Sequence, residues 1–217
     1  MHDVKVCAYA EWKKFIQGKK KIYNSLLYIA SVGSGVGAGS IIDGKILKGS
    51  VGTAGEIGHM GINFNGGKKG KHPNRGSFEC YASVDSLLDY VKDEICLFPN
   101  SILNDQSTLE EIKVAYSKGD ELAITAYDKL ATMLGYGIAN MVYILNPEIC
   151  VIGGSYPRDE HFLMKVKETV SQLCYSYLFE SLEIVFSDMD NPQLLGGYYL
   201  LIDKLINENL FFEIIKK

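Results

Sequence analysis

The sequence predicts a mixed domain, α/β or α+β, with a glycine-lined edge to its sheet. Three observations predict it. Residues 120–145 carry a helical pattern that is apolar on nearly every face, which suits a central buried helix. Downstream, "EICVIGGS" and "LEIVFSDM" read as buried strands alternating with helical stretches, and such alternation implies parallel pairing through right-handed crossovers. Upstream, "SLLYIAS" and "SIIDGKILKGS" supply strand-like runs on either side of a glycine-rich break.

Taken in order, residues 3–16 form a short amphipathic helix with Val6, Ala10 and Phe15 toward a core. "SLLYIAS" is a buried strand, interrupted by "VGSGVGAGS". "SIIDGKILKGS" is a β-hairpin, because Asp43-Gly44 suits a tight type I′ turn between apolar strands. Residues 51–82 are rich in loop and glycine. Ser83 caps a helix whose apolar positions are Val84, Leu87, Leu88 and Val91, with Asp85 in its first turn. "STLEEIKVAYSKG" is a second capped helix closed by Gly119. Asn146-Pro147 stops the central helix, and helices over about 160–178 and 193–207 complete the chain.

With 217 residues, 47% hydrophobic and 22% charged, the chain is ample for a real core and is not disordered. A formal net charge of −4 argues against this segment gripping nucleic acid, which needs a basic face. The lysine clusters "KKFIQGKKK" and "GGKKGKHPNR" read as a solvated helix end and an exposed loop. Five cysteines without a CxxC pair suggest reduced thiols in a cytoplasmic protein. No signal peptide opens the chain and no run approaches the roughly 18 apolar residues of a membrane span, so no membrane partner is expected.

Several groups are candidates for chemistry. Glycines at 33, 35, 37 and 39 could present backbone N–H groups to an anion, or could simply form a glycine-rich hairpin. Strands on both flanks exclude a Walker or Rossmann loop, which would open a helix. Glu56 and His59 in "GTAGEIGHM" suit a polyol, since a carboxylate accepts from hydroxyls and an imidazole can both donate and accept; the alternatives are a metal on His59 or plain solvation. Asp3, by its place before the first helix, reads as a helix cap, and Gly153-Gly154 either as a point of ligand approach to the sheet edge or as a tight strand-to-helix turn.

The order of these pieces resembles the ROK family (repressor, open reading frame, kinase) over nearly the whole chain. "GAGSIIDGKILKGSVGTAGEIGHM" and "NRGSFECYAS" carry the resemblance. It implies that residues 1–217 form the carboxy-terminal lobe of an actin-like, hexokinase-like (ribonuclease H-like) ATPase fold, with a degenerate zinc-knuckle loop over about 59–83. In that family Asp3 would take a proton from a sugar hydroxyl. Glu56, His59 and Glu79, with Asp3, would hold the sugar. Gly33, Ser34, Gly35 and Gly37 would face nucleotide phosphates, with Gly153 and Gly154 near the nucleotide base.

The chain departs from the family pattern in three places. No DxGGT-type phosphate loop occurs in these residues, and the resemblance leads to the expectation that the family's amino-terminal lobe is missing from this chain. His2-Asp3 stands where the family has Asn-Asp. The three knuckle cysteines are replaced by Gly70, His72 and Ser77, so structural zinc is doubtful; His59, His72 and Cys80 are weak substitute ligands. The expectation is the sugar-binding effector domain of a ROK sugar-responsive transcriptional regulator, a homodimer that reaches DNA only through the missing amino-terminal domain. The alternatives are the carboxy-terminal part of a glucokinase-like sugar kinase using Mg-ATP, or a truncated product without function.

Overall fold

The computed structural model describes residues 3–18, 21–70 and 75–207. The described strands are β1 (Ser25–Val32), β2 (Gly35–Ile42), β3 (Lys45–Ile46), β4 (Ile149–Gly154) and β5 (Glu183–Phe186), in the spatial order β3-β2-β1-β4-β5. β2 is antiparallel to β1 and β3, while β1, β4 and β5 run parallel, as the alternation of strand and helix requires.

The helices are α1 (Asp3–Gly18), α2 (Glu79–Ala82), α3 (Val84–Glu94), α4 (Leu109–Ser117), α5 (Glu121–Leu145), α6 (Glu160–Leu173), α7 (Ser176–Ser181) and α8 (Pro192–Asn207). Strand periodicity sorts the core into two layers. Leu27 and Ile29 of β1 join Cys150 and Ile152 of β4 under α5 and α6. Leu26, Tyr28 and Ala30 point the other way, into a second cluster with α1 and α8. The central helix is α5, as its pattern predicts, with only a minor outward face at residues such as Lys129 and Tyr136.

Local signals account for most boundaries. Asp43 and Gly44 both have positive φ, as a type I′ turn demands. Ser83 accepts the Ser86 N–H at 3.2 Å, and Thr108 with Glu111 forms a reciprocal capping box. Asn146, in the left-handed conformation, ends α5.

The stretch from Gly33 to Gly39 forms a glycine-rich hairpin, one of its two readings: only Gly33 and Ser34 make the turn, and Gly35, Gly37 and Gly39 lie within β2. Their spacing of two places them on one face, and α1 lies against it. A Cβ on Gly39 would stand 2.4 Å from the Val4 carbonyl oxygen and 2.7 Å from Lys5 Cα, so helix backbone rests almost directly on strand backbone. One expectation needs correction: the helix expected over 160–178 breaks at Cys174, which is extended. No glycine or proline marks that break. The Tyr143 hydroxyl from α5 spans it, donating to Leu173 O at 3.0 Å and accepting the Tyr175 N–H at 3.2 Å.

Gly39→Ala is expected to cost about 2–3 kcal/mol through overpacking against α1. Gly35→Ala, which has no close neighbour to strike, should stay within about 0.5 kcal/mol. Urea unfolding with an unchanged slope would measure both. A second expectation concerns Asp120, which caps α5. Its partial burial opposes ionisation, but hydrogen bonds from the Ile102 and Ala123 N–H groups and the Ser101 hydroxyl outweigh this and hold its carboxyl below the usual range. A depressed folded value contributes stability that is complete above the unfolded pKa and is lost as pH falls through the folded one. Asp120→Ala should therefore cost about 1 kcal/mol at neutral pH. The gap to wild type should narrow below about pH 4 in pH-resolved melts.

Candidate functional site

A cleft of about 490 Å³ opens at the carboxy-terminal ends of β1 and β4, the edge where open α/β sheets present ligands. Its walls come from widely separated parts of the chain. The first turn of α1 contributes Asp3 and Cys7, one helical turn apart on the same face. The β1–β2 hairpin contributes Ser34, Gly35 and Gly37. The loop after β3 and the start of α2 contribute Glu56, His59 and Glu79.

Each piece is held by identifiable contacts. Lys5, buried on α1, donates from Nζ to Gly52 O at 3.0 Å and so anchors the loop that leads into Glu56. The Ala38 N–H on β2 donates to Gly55 O at 2.9 Å, and a single 3-10 turn, Ile57–His59, follows. On the other side, the α2–α3 junction is stitched to the hairpin. Val84 N–H donates to Ser31 Oγ at 3.0 Å, and Asp85 N–H to Gly33 O at 3.2 Å. The Tyr156 hydroxyl donates to Ala82 O at 2.6 Å.

These restraints bring two carboxylates to one imidazole. His59 Nδ1 lies 3.5 Å from Glu79 Oε1, and His59 Nε2 lies 4.0 Å from Glu56 Oε2. Glu79 is only 8% exposed, whereas His59 and Glu56 are half-buried at the cleft wall. Acceptors on both sides of a group that can donate or accept match a ligand rich in hydroxyls. Asp3 is exposed at the same cleft. A neighbouring cleft of about 310 Å³ shares Ser34 and Glu79 and is bordered by Lys68, Gly70, Cys80 and Asp85.

The glycines divide. Gly154 lines the cleft, but Gly153 does not: a Cβ there would stand 2.0 Å from the Tyr28 hydroxyl, which occupies its side-chain space. Gly33 belongs to the turn, and Gly37 is partly covered by Val4. Sequence reasoning missed Cys7, Tyr28 and Gln193, which also line the cleft. The spacing of Cys7 from Asp3 and the alternation along β1 could have found the first two; nothing local marks Gln193.

The described residues do not fit a structural zinc. Tetrahedral zinc needs four nitrogen, sulfur or oxygen donors. Gly70 has none, and the space its side chain would take is closed by Cys80 Sγ, 2.8 Å from a Cβ there. Ser77 Oγ is 3.1 Å from Cys80 Sγ, so these two groups face each other. His59 faces carboxylates, and His72 lies outside the described residues. Among the described residues, no group of three or more His, Cys, Asp or Glu side chains is arranged to hold a metal ion.

Burial pushes the Cys7 thiol up to about 11, despite a hydrogen bond with Tyr28 that works the other way, and burial likewise raises the Tyr28 phenol. At pH 8 the buried Cys7 thiol is then protonated, the form that does not act as a nucleophile. Iodoacetamide at that pH should label the exposed Cys96 and leave Cys7 unmodified, as read by peptide mass spectrometry.

The model of the ROK family matches residues 1–204. The xylose repressor of Caldicellulosiruptor bescii is 32% identical over 209 residues, covering 92% of this chain and 49% of the repressor. The glucokinase of Halalkalibacterium halodurans is 28% identical, covering 92% of this chain and 62% of the enzyme. Among solved structures, a ROK family transcriptional regulator homologous to the E. coli MLC protein superposes with a TM-score of 0.85 at 27% identity, over 99% of this chain and 54% of that one. A ROK family glucokinase from Streptomyces griseus, in complex with glucose and AMPPNP, gives a TM-score of 0.77 at 24% identity, over 90% and 66% of the two chains. This chain thus spans about half to two thirds of the proteins it resembles.

Proposed function

This chain belongs to the ROK family and carries its actin-like, hexokinase-like α/β fold, and from that premise we propose that it is a sugar-binding effector domain of a sugar-responsive transcriptional regulator. The observation that carries the proposal is the convergence of Glu56, His59 and Glu79 on one cleft. A sugar hydroxyl donates to each carboxylate, and the imidazole fixes the orientation of a third. Burial of Glu79 strengthens its hydrogen bonds, because a charged acceptor partly withdrawn from water gains more from each donor. The repressor relatives named for xylose and for N-acetylglucosamine support the ligand class.

In this reading residues 1–217 act as one lobe, cytoplasmic and homodimeric. Contact with DNA belongs to the part of the relatives that this chain does not span. Among the described residues no helix is long and apolar enough to cross a membrane.

A second reading is favoured by Asp3, whose carboxylate borders the same cleft. In a sugar kinase it would accept the proton of the attacking hydroxyl, and most of the remaining catalysis would be positioning and charge stabilisation. Ser34, Gly35 and Gly154 would then lie toward Mg-ATP, which supplies the phosphoryl group. The other half of the relatives would complete the nucleotide site.

Thermal unfolding with D-xylose, D-glucose and N-acetylglucosamine tests the proposal. A sugar at 100 times its dissociation constant stabilises by about 2.7 kcal/mol, a rise of several degrees for a domain of this size. Glu56→Ala and His59→Ala should abolish the rise without lowering the unliganded midpoint by more than a degree or two. A flat response to every sugar would refute a sugar site. ADP release with Mg-ATP and a binding sugar, lost in Asp3→Asn while the thermal shift remains, would establish the kinase reading instead.

A further inference from the structure

Residues 61–70 connect His59 to the turn before Glu79, yet none of them is buried. A loop without a core of its own needs some other centre to order it, and the described donors do not supply a metal. Backbone pairing does part of the work. Gly61 bridges Ser77, and Phe78 N–H donates to Met60 O at 2.8 Å. Ile62 N–H donates to Gly76 O at 2.8 Å, and Gly76 N–H to Lys68 O at 2.9 Å.

Lys69 bridges Arg75, Arg75 Nε donates to Gly66 O at 3.3 Å, Lys68 Nζ lies 3.8 Å from Asp93 Oδ2, and half-buried Ile62 packs against the main core. Two further contacts converge on one atom. Tyr81 follows Glu79 by two residues in the same short helix, and its hydroxyl accepts the Lys68 N–H at 2.9 Å and the Asn63 Nδ2–H at 3.0 Å. Asn63 Oδ1 in turn accepts the Asn65 N–H at 3.1 Å. The loop can close this tightly only because Gly67 lacks a side chain: a Cβ there would stand 2.4 Å from the Tyr81 hydroxyl and 2.7 Å from Gly76 Cα. Both arms of the loop are thus tied to a phenol on the element that carries Glu79.

We propose that the Tyr81 hydroxyl is the positioning group of this loop and does, without metal, the ordering that knuckle ligands would otherwise do. By fixing Lys68 and Asn63 it holds the Met60–Gly61 and Ser77–Phe78 segments together, and with them His59 against Glu79. Tyr81 does not line the larger cleft, so it acts on a ligand only through those two residues. Only its consequence for ligand affinity rests on the sugar-binding reading; the ordering of the loop does not.

The test is amide hydrogen exchange on the full chain, comparing wild type with Tyr81→Phe, which keeps the ring and removes the oxygen. Loss of two hydrogen bonds should raise exchange of the Lys68 amide by about tenfold. Amides in α5 should not change, and the midpoint of unfolding should move by less than about 2 °C. The dissociation constant for whichever of the three sugars binds wild type should rise by about 3- to 10-fold. Gly67→Ala, which keeps the hydroxyl but pushes the loop off it, should reproduce the exchange result. Treating wild type with EDTA should leave Lys68 exchange unchanged. Wild-type exchange at Lys68 in Tyr81→Phe would overturn the proposal, as would acceleration spread evenly to α5. So would stoichiometric zinc whose removal loosens the loop. If none of the sugars binds wild type, the sugar reading fails while the exchange measurements still decide the role of Tyr81.

Discussion

The site depends on how closely α1 approaches β2. At Gly39 the helix and strand backbones come within a distance that no side chain can share, and this contact sets the height of α1 above the sheet. Everything on the second layer follows from that height. Asp3 and Cys7 reach the cleft rather than standing above it. Lys5 reaches down to Gly52, and α8 finds α1 low enough to pack along it, with Lys13 and Tyr9 both meeting Asp203. The buried Glu11 completes the same layer by accepting the Ser187 hydroxyl from the segment after β5, and its burial raises its pKa above the usual range.

The opposite wall is built by a different principle. The β1–β2 hairpin, the α2–α3 junction and the strand end at Gly154 meet through buried hydrogen bonds as well as through the apolar cluster that Val36, Phe78, Ala82 and Tyr156 share. Ser31 is central: fully buried, it accepts the Val84 N–H through its side chain and the Ser155 N–H through its carbonyl. Such bonds are directional, and a buried partner left without one is costly, so they place Glu79 with a precision that side-chain packing alone would not.

The polar groups of the cleft therefore meet without a metal-ligand cluster among the described residues. Gly70 and Ser77 leave room that Cys80 fills. The two carboxylates around His59 do not require the metal to meet, because each is carried by an element already tied to β2 or β1.

Local chemistry by itself determined much of this protein. Turn, cap and stop residues at Asp43-Gly44, Ser83, Thr108 and Asn146 act over a few bonds, so their elements were legible in the sequence, as were the burial of α5 and the parallel half of the sheet. The site residues Glu56, His59 and Glu79 were legible through an ordered family pattern, since a lone Glu or His in a loop carries no such meaning. Only the tertiary structure decided the rest. That α1 lies directly on the glycines of β2 was not legible, and the break at Cys174 carries no glycine or proline and is spanned by a hydroxyl from another helix. Gly153 and Gly154 are neighbours in sequence, but Tyr28 shields one and leaves the other on the cleft. Each of these outcomes depends on an atom that arrives from a distant part of the chain, and no window of sequence around the residue contains it.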